Sequence, residues 1–291
     1  MLQPPASPAA AASPFQPRPA GPPTALQIVD RILAQGDVAA RPKTVDRIVA
    51  GDPTTIVKGI ATMAIASMEG LRAASEAGCN LVVAYDGPFW SETDNLERAT
   101  AYPGFQAKRD FLRAHDMVVF HFRDHFRDRV PDGISVGMAR ALDWESRRAP
   151  GGDIDRFLLS PTTLLGLARE LAEKLDDRTL RVVGDPKLPV SRVAASWGNA
   201  AQLPTIKLLN SDVDVVICGY TREWEAVEYA QDMIATGLRK GLILLGQAKS
   251  VEGGMRYCAE WLKGFVPEVP VTFFAQPEPY WTLKPMGAGK A

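Results

Sequence analysis

The chain has 291 residues, 46% hydrophobic and 23% charged, with 33 basic against 34 acidic side chains and a formal net charge of −1. That balance excludes the clustered basic excess needed for a sequence-independent grip on nucleic acid or on an acidic membrane surface. No apolar run approaches the ~18 residues that span a bilayer. Cys79, Cys218 and Cys258 form neither a C-x-x-C nor a zinc spacing and read as small buried hydrophobes.

Residues 1–24 are almost entirely Ala, Pro, Ser and Gly. Such a stretch buries too little apolar surface to order itself and reads as a disordered tail. It lacks the basic start and apolar centre of a signal peptide. The expected compartment is therefore the cytoplasm, with export by a signal upstream of Met1 as the alternative. Ala25–Gln35 sets Leu26, Val29, Ile32 and Leu33 at helical spacing, closed by Gly36. Val45–Pro53 is a short extended piece ending in a turn. Ile56–Met63 reads as a strand, Ser67 as an N-cap, and Met68, Leu71, Ala74 and Ser75 as one helical face ending at Gly78. Leu81–Ala84 is a continuous apolar run, as in a parallel strand covered on both faces. The loop Tyr85-Asp86-Gly87-Pro88-Phe89-Trp90 then lies at a strand's carboxyl end, where open α/β sheets bind their ligands.

Ser91–Ala101 reads as a polar loop with a helical turn, Phe105–His115 as a helix and Met117–His121 as a buried strand. Phe122–Arg129 is the densest run of ionisable groups, and Ile134–Leu142 is a helix. Ala149–Asp155, with two glycines and a proline, is the expected joint. The division is a first unit at 25–148, a joint at 149–159, a second unit at 160–281 and a flexible C-terminus at 282–291. Ser160-Pro161 predicts a helix with proline in its first turn, running to Leu175. Leu180–Gly184 and Arg192–Ser196 read as strands, and Ser196–Ala200 as a small-residue turn leading into a helix. Val213–Cys218 is a strand, Glu223 and Glu225 begin a helix, and Gly241–Leu245 is a strand. Val251–Phe265 is a helix and Val269–Phe274 the last strand. The alternation makes this an α/β protein with at least two parallel-strand units. No G-x-G-x-x-G, Walker A or H-E-x-x-H motif occurs.

Several blocks together point to a family. VDRIVAGDP followed by TIVKGIATMAIASMEGLRAASEAGCNLVVAYDGPFW resembles the opening of the NIF-three-like dinuclear-metal family, whose members are often labelled GTP cyclohydrolase type-two homologues. FRDHFRDRVPDGISVGMARALDWE resembles its second metal-loop block. RVVGDPKLPVSRVA, DVDVVICGYTREWEAVEYAQD and KGLILLGQAKSVEGGMRYCAEWLKGFVPEVPV resemble its C-terminal half. The resemblance covers Ile28 to Trp281. It implies two interlinked α/β domains with mixed, partly parallel sheets covered by helices, a homohexameric ring and two divalent cations in an interior site.

At the positions that the resemblance assigns to the cations, this chain differs. Tyr85 and Asp86 stand where the family has histidine followed by histidine or glutamate. Arg123 and Arg127 stand where it has histidine and then histidine or aspartate, with Asp124 or Asp128 as neighbours able to stand in. Gln247 and Val251 replace a histidine and a glutamate, and Tyr220 replaces another glutamate. Arginine is permanently cationic and cannot coordinate a metal, valine offers nothing, and glutamine is a poor ligand. The expectation is that no metal is held, or one weakly by Asp86, Asp124 or Asp128; zinc, iron, manganese or nickel would be expected if the family site survived. Two further readings stay open. Arg123 and Arg127 provide a pocket for a small anionic ligand, with Tyr85, Asp86, Gln247 and Ser250 as hydrogen-bonding partners. Alternatively, the arginines pair with Asp124, Asp128 and Asp132 in a surface network. The functional expectation is a non-catalytic binding or assembly protein that self-associates. The alternative is a hydrolase of a phosphorylated or heterocyclic small molecule, with Asp86, Asp124 and His125 as its catalytic groups. His125, flanked by Asp124 and Asp128, is the acid–base candidate; His115 and His121 read as packing residues, and Trp224 and Trp261 as core.

Overall fold

The computed structural model describes residues 21–36, 38–39, 41–91, 96–97, 99–151, 155–199 and 202–281. The expected tail up to residue 20, the centre of the joint, most of the 92–98 loop and the C-terminal segment from 282 lie outside them.

The first half folds as α1 (Ala25–Gln35), β1 (Arg47–Ala50), β2 (Ile60–Ile65), α2 (Met68–Glu76), β3 (Leu81–Asp86), α3 (Pro103–Ala114), β4 (Val118–His121), α4 (Asp124–Asp128) and α5 (Gly133–Ala141). The second contains β5 (Arg156–Thr163), α6 (Leu164–Lys174), β6 (Arg181–Val183), β7 (Pro189–Asn199), α7 (Gln202–Leu209) and β8 (Val215–Tyr220). It continues with α8 (Glu228–Ala235), β9 (Gly241–Leu244), α9 (Lys249–Lys263) and β10 (Val271–Phe273). No helix among the described residues is long and apolar enough to cross a membrane.

Local chemistry sets many of these boundaries. Thr24 and Gln27 cap α1 reciprocally, side chain to backbone in both directions. Ser67 accepts the Gly70 N–H at 3.1 Å and opens α2 as expected. The helix expected from Ser160-Pro161 starts later. Thr163 accepts the Gly166 N–H at 3.1 Å and is the true cap. Pro161 belongs instead to the edge strand β5, between Leu158 and Thr162, where the ladder to β7 is interrupted and a missing N–H is tolerated. The turn expected at Ser196–Ala200 is strand up to Asn199, with an irregularity between Ser196 and Asn199. Trp224, expected in the core, is 71% exposed in a π-helical turn and lies against Arg222. The three cysteines are buried, as expected.

The strands form two mixed sheets, ordered β1-β4-β3-β2-β10 and β5-β7-β8-β9-β6. In the first, β4, β3, β2 and β10 run parallel and β1 is antiparallel to β4. In the second, β7, β8 and β9 run parallel, flanked by antiparallel β5 and β6. β10 follows all the strands of the second sheet yet pairs with β2, Val271 opposite Ile60. The chain therefore returns to its first half at the end.

Helix α9 carries that return. One apolar core runs from Val83 and Phe120 of the first sheet, through Val251, Met255 and Cys258 of α9, to Val193 and Ile217 of the second. Thr62 of β2 donates to the Met255 carbonyl at 2.9 Å. On its other side α9 crosses α5 almost backbone to backbone. A Cβ on Gly137 would lie 2.3 Å from the Gly253 carbonyl oxygen and 2.5 Å from the Gly254 Cα. Gly137→Ala is expected to lower the unfolding free energy by about 3 kcal/mol, because overpacking here can be relieved only by separating two helices. A urea titration checks it; an unshifted midpoint would mean that the helices do not cross this closely.

Candidate functional site

The carboxyl ends of β3 and β4 in one sheet meet those of β7, β8 and β9 in the other, and the expected site residues lie on these ends. Tyr85 and Asp86, read above as loop, extend β3, with Asp86 opposite Ile65 of β2. The charged run after β4 is the short helix α4.

Asp46, just before β1, sets α4 in place. Its buried carboxylate accepts the backbone N–H groups of Arg123 (2.8 Å), Asp124 (2.9 Å) and His125 (2.8 Å), and it contacts the His125 Nδ1 at 2.7 Å. The carboxylate beside His125 is thus Asp46, not Asp124 or Asp128. Those two turn to the 41–45 segment. Asp128 forms a two-pronged pair with Arg41, through Nε and Nη2. Asp124 accepts the Val45 N–H at 3.1 Å. Burial pushes the Asp124 carboxyl up, but that hydrogen bond and Arg123 outweigh it and hold it below the ordinary value. His121 is buried in β4, and His115 ends α3 stacked on Phe111.

One turn along α4, Arg127 reaches under the sheet ends. It donates to the Trp197 carbonyl at 3.2 Å, pairs with Asp132 at 3.2 Å and hydrogen-bonds the Tyr85 hydroxyl. Burial works against its charge, yet Tyr85 and Asp132 raise its pKa overall. Burial also pushes the Tyr85 phenol up. Close backbone approach makes this packing possible: a Cβ on Gly219 would sit 2.1 Å from the Gly198 carbonyl oxygen, and one on Gly198 would sit 3.0 Å from the Tyr85 hydroxyl. Val251 is fully buried beside it in the core. Ser250 accepts the Gly198 N–H at 3.0 Å and donates to the Gln247 carbonyl at 2.8 Å. Behind Arg127, Asp155 accepts from Ser135 (2.8 Å) and Trp197 (2.8 Å); burial nevertheless pushes its carboxyl up to about 6.

In front of this layer lies a cleft of about 470 Å³, lined by Asp86, Arg123, Tyr220 and Gln247 together with Trp90 and Lys108. Gln247 donates to Asp86 at 2.8 Å, joining β3 to the turn after β9. Four of the expected positions thus share the cleft. Tyr85, Arg127 and Val251 lie in the layer behind it, while Asp124, His125 and Asp128 face the 41–46 segment. Two important residues were not singled out in the sequence. Lys108 had a signal: it sits between Phe105 and Leu112 at helical spacing, a charge within an apolar stripe. Asp46 had none, since nothing local ties it to residues 77 to 79 positions away.

The family model for Duf34/NIF3 (NGG1p interacting factor 3) matches residues 44–262, well over half of the chain. The chain belongs to the Duf34/NIF3 family. Solved structures agree on the fold of this NIF3-family protein. The hypothetical protein SA1388 of Staphylococcus aureus superposes with a TM-score of 0.68 at 13% identity, covering 90% of this chain and all of that one (100%). A Bacillus cereus protein related to NIF3 gives 0.68 at 13% identity, covering 91% and 100%. The protein ybgI gives 0.65 at 22% identity, covering 87% and 97%. No curated protein matches the chain.

The dinuclear metal centre implied by the family resemblance does not fit the donor set of this NIF3-family cleft. Asp86 is the sole carboxylate among its described lining residues, beside an amide and a guanidinium. No group of three His, Cys, Asp or Glu side chains able to hold a metal ion occurs among the described residues. Two divalent cations about 4 Å apart need several anionic or imidazole ligands.

Asp46→Ala would strip three backbone donors of their acceptor, and a loss of about 2–3 kcal/mol is expected from the missing cap and the buried groups left unpaired. Chemical denaturation measures it; a loss within error of zero would mean that α4 holds itself. Asp155 predicts a pH effect of unusual sign. A carboxyl raised above its ordinary 3.8 binds its proton more tightly in the folded chain. Its favourable contribution is present below about pH 4 and is lost as the pH rises through about 6. Asp155→Asn is expected to be more stable than wild type at pH 7, by up to about 3 kcal/mol, with the gap closing towards pH 4. Melting curves across that range check it, and a gap independent of pH would contradict it.

Proposed function

We propose that this NIF3-family protein has lost the dinuclear metal centre and is a non-catalytic binding protein whose cleft takes a small anionic ligand. One observation carries the reading: Arg123 and Lys108 line the same cleft as Asp86, Tyr220 and Gln247. A guanidinium ~4 Å from a cation costs about 4 kcal/mol per unit charge at an effective dielectric of ~20, so Arg123 opposes metal binding and favours phosphate or carboxylate. The Tyr85–Arg127–Asp132 layer supports the same reading, since Tyr85 and Arg127, at two positions that the resemblance assigns to metal ligands, bind each other and Arg127 also pairs with Asp132.

The hydrolase alternative requires Asp86, Asp124 and His125 around one reacting atom. Asp124 and His125 are committed to the backbone of Val45 and to the Asp46 carboxylate, which favours binding over catalysis. Self-association, as in the family's ring, belongs to the same proposal.

A thermal-shift series with phosphate, nucleotides and small carboxylates tests it. A ligand at 100-fold its Kd stabilises by about 2.7 kcal/mol, a shift of several degrees for a chain of this size. That shift is expected to disappear in Arg123→Ala. Elemental analysis of protein purified without chelator gives the opposing result: two equivalents of zinc, iron, manganese or nickel per chain would end this reading.

A further inference from the structure

We propose that Lys108 is a carbonyl-binding lysine, its amine capturing an aldehyde or ketone that carries an anionic group as an imine within the cleft. The inference rests on the anion-binding reading above and names the class of ligand.

Lys108 is only 4% exposed, yet it lines the cleft. Its Nζ donates to the Pro88 carbonyl at 2.7 Å and to the Ala66 carbonyl at 3.1 Å, and lies 5.0 Å from the centre of the Trp90 ring. Among the described residues no carboxylate pairs with it, and the other charged groups lining the cleft are Asp86 and Arg123. This is the setting in which a lysine becomes a nucleophile: the ammonium loses its hydration and gains dipoles but, among the described residues, no counter-ion. Burial lowers its pKa from 10.5 to about 8. Roughly a tenth of the amine is then neutral at pH 7, against roughly three in ten thousand for an ordinary lysine. Arg123 provides a planar fork for the ligand's carboxylate or phosphate in the same cleft.

The chemistry needs no oxidant, reductant or metal. The neutral Nζ adds to the carbonyl carbon, and the electron pair of the C=O bond passes to oxygen. That oxygen takes up both hydrogens of the amine and leaves as water while the C=N bond forms. A proton from solvent then gives the imine one N–H. That N–H keeps a hydrogen bond to one of the two carbonyls now held by the amine.

Glyoxylate, the smallest aldehyde bearing a carboxylate, is the probe, with cyanoborohydride to reduce the imine to carboxymethyl-lysine on the full-length protein. Peptide mass mapping is expected to find Lys108 labelled at least 10-fold faster than the chain's other lysines at pH 7, its rate levelling off above about pH 8. Inorganic phosphate is expected to slow it. Acetaldehyde, which lacks the anion, is expected to label Lys108 several-fold more slowly. Lys108→Arg keeps hydrogen-bond donors to Ala66 and Pro88 and is expected to lose the adduct while retaining its melting temperature; the wild-type map stands even if that variant folds poorly. Labelling spread evenly over the lysines overturns the proposal, as does equal labelling by the two aldehydes. If phosphate stabilises the protein through Arg123 while Lys108 stays unlabelled, the anion reading survives and the imine does not.

Discussion

The Asp46 carboxylate is the contact on which the arrangement of this site depends. A helix of five residues cannot stabilise itself, because nucleation costs more than one turn of hydrogen bonds returns. α4 exists because a buried anion at its amino end satisfies three consecutive N–H groups and complements the helix dipole. Asp46 immediately precedes β1, and β1 pairs antiparallel with β4, Arg47 opposite His121. The strand leading into α4 and the residue capping it are therefore braced against each other. That brace sends Arg123, at the cap, to the cleft, and Arg127, a turn later, under the sheet ends to Tyr85. His125 completes the brace by giving Asp46 a side-chain contact as well.

What could be read from the sequence follows from the range of the interaction that decides each feature. Strands β3, β8 and β9 are continuous apolar runs, and their burial on both faces is a local property of the string. The Ser67 cap and the α9 helix are local too, and all were legible. Sheet membership was not: Val271-Thr272-Phe273 contains no mark of its partner, and only the return of α9 across the core brings it beside β2. Ser160-Pro161 misleads because proline in a first helical turn is a sound local signal. It is overridden by a better cap at Thr163 and by an edge strand that tolerates a missing donor. His125 was correctly matched to a carboxylate in kind and mistaken in identity, since the nearest in sequence is not the nearest in space.

The positions of the site were legible through the family resemblance, and their division into two layers was not. Tyr85 and Asp86 are adjacent on a strand, so their side chains must leave opposite faces. One goes back to Arg127 and the other to the cleft and Gln247. A sequence comparison treats the pair as one motif; the pleat separates them.

The two cations flanking this pleat are treated in opposite ways. Arg127 is surrounded by a carboxylate, a phenol and a carbonyl, so its charge is returned in full and its place is fixed. Among the described residues Lys108 receives carbonyl dipoles and an aromatic face, which hold its position without neutralising it. A cation satisfied in the first way is part of the scaffold, and removing it would strand the groups around it. One satisfied in the second way remains short of negative charge, and the cleft beside it is the route by which that charge can arrive. Asp86 lies in the same space with its carboxylate accepting from Gln247, and Arg123, 3.4 Å from the Asp124 carboxylate, adds a second positive group to the lining. On the proposed reading the cleft is an anion site for this reason: its described lining sets Lys108 and Arg123 against the one carboxylate of Asp86, and Lys108 has no paired carboxylate among the described residues.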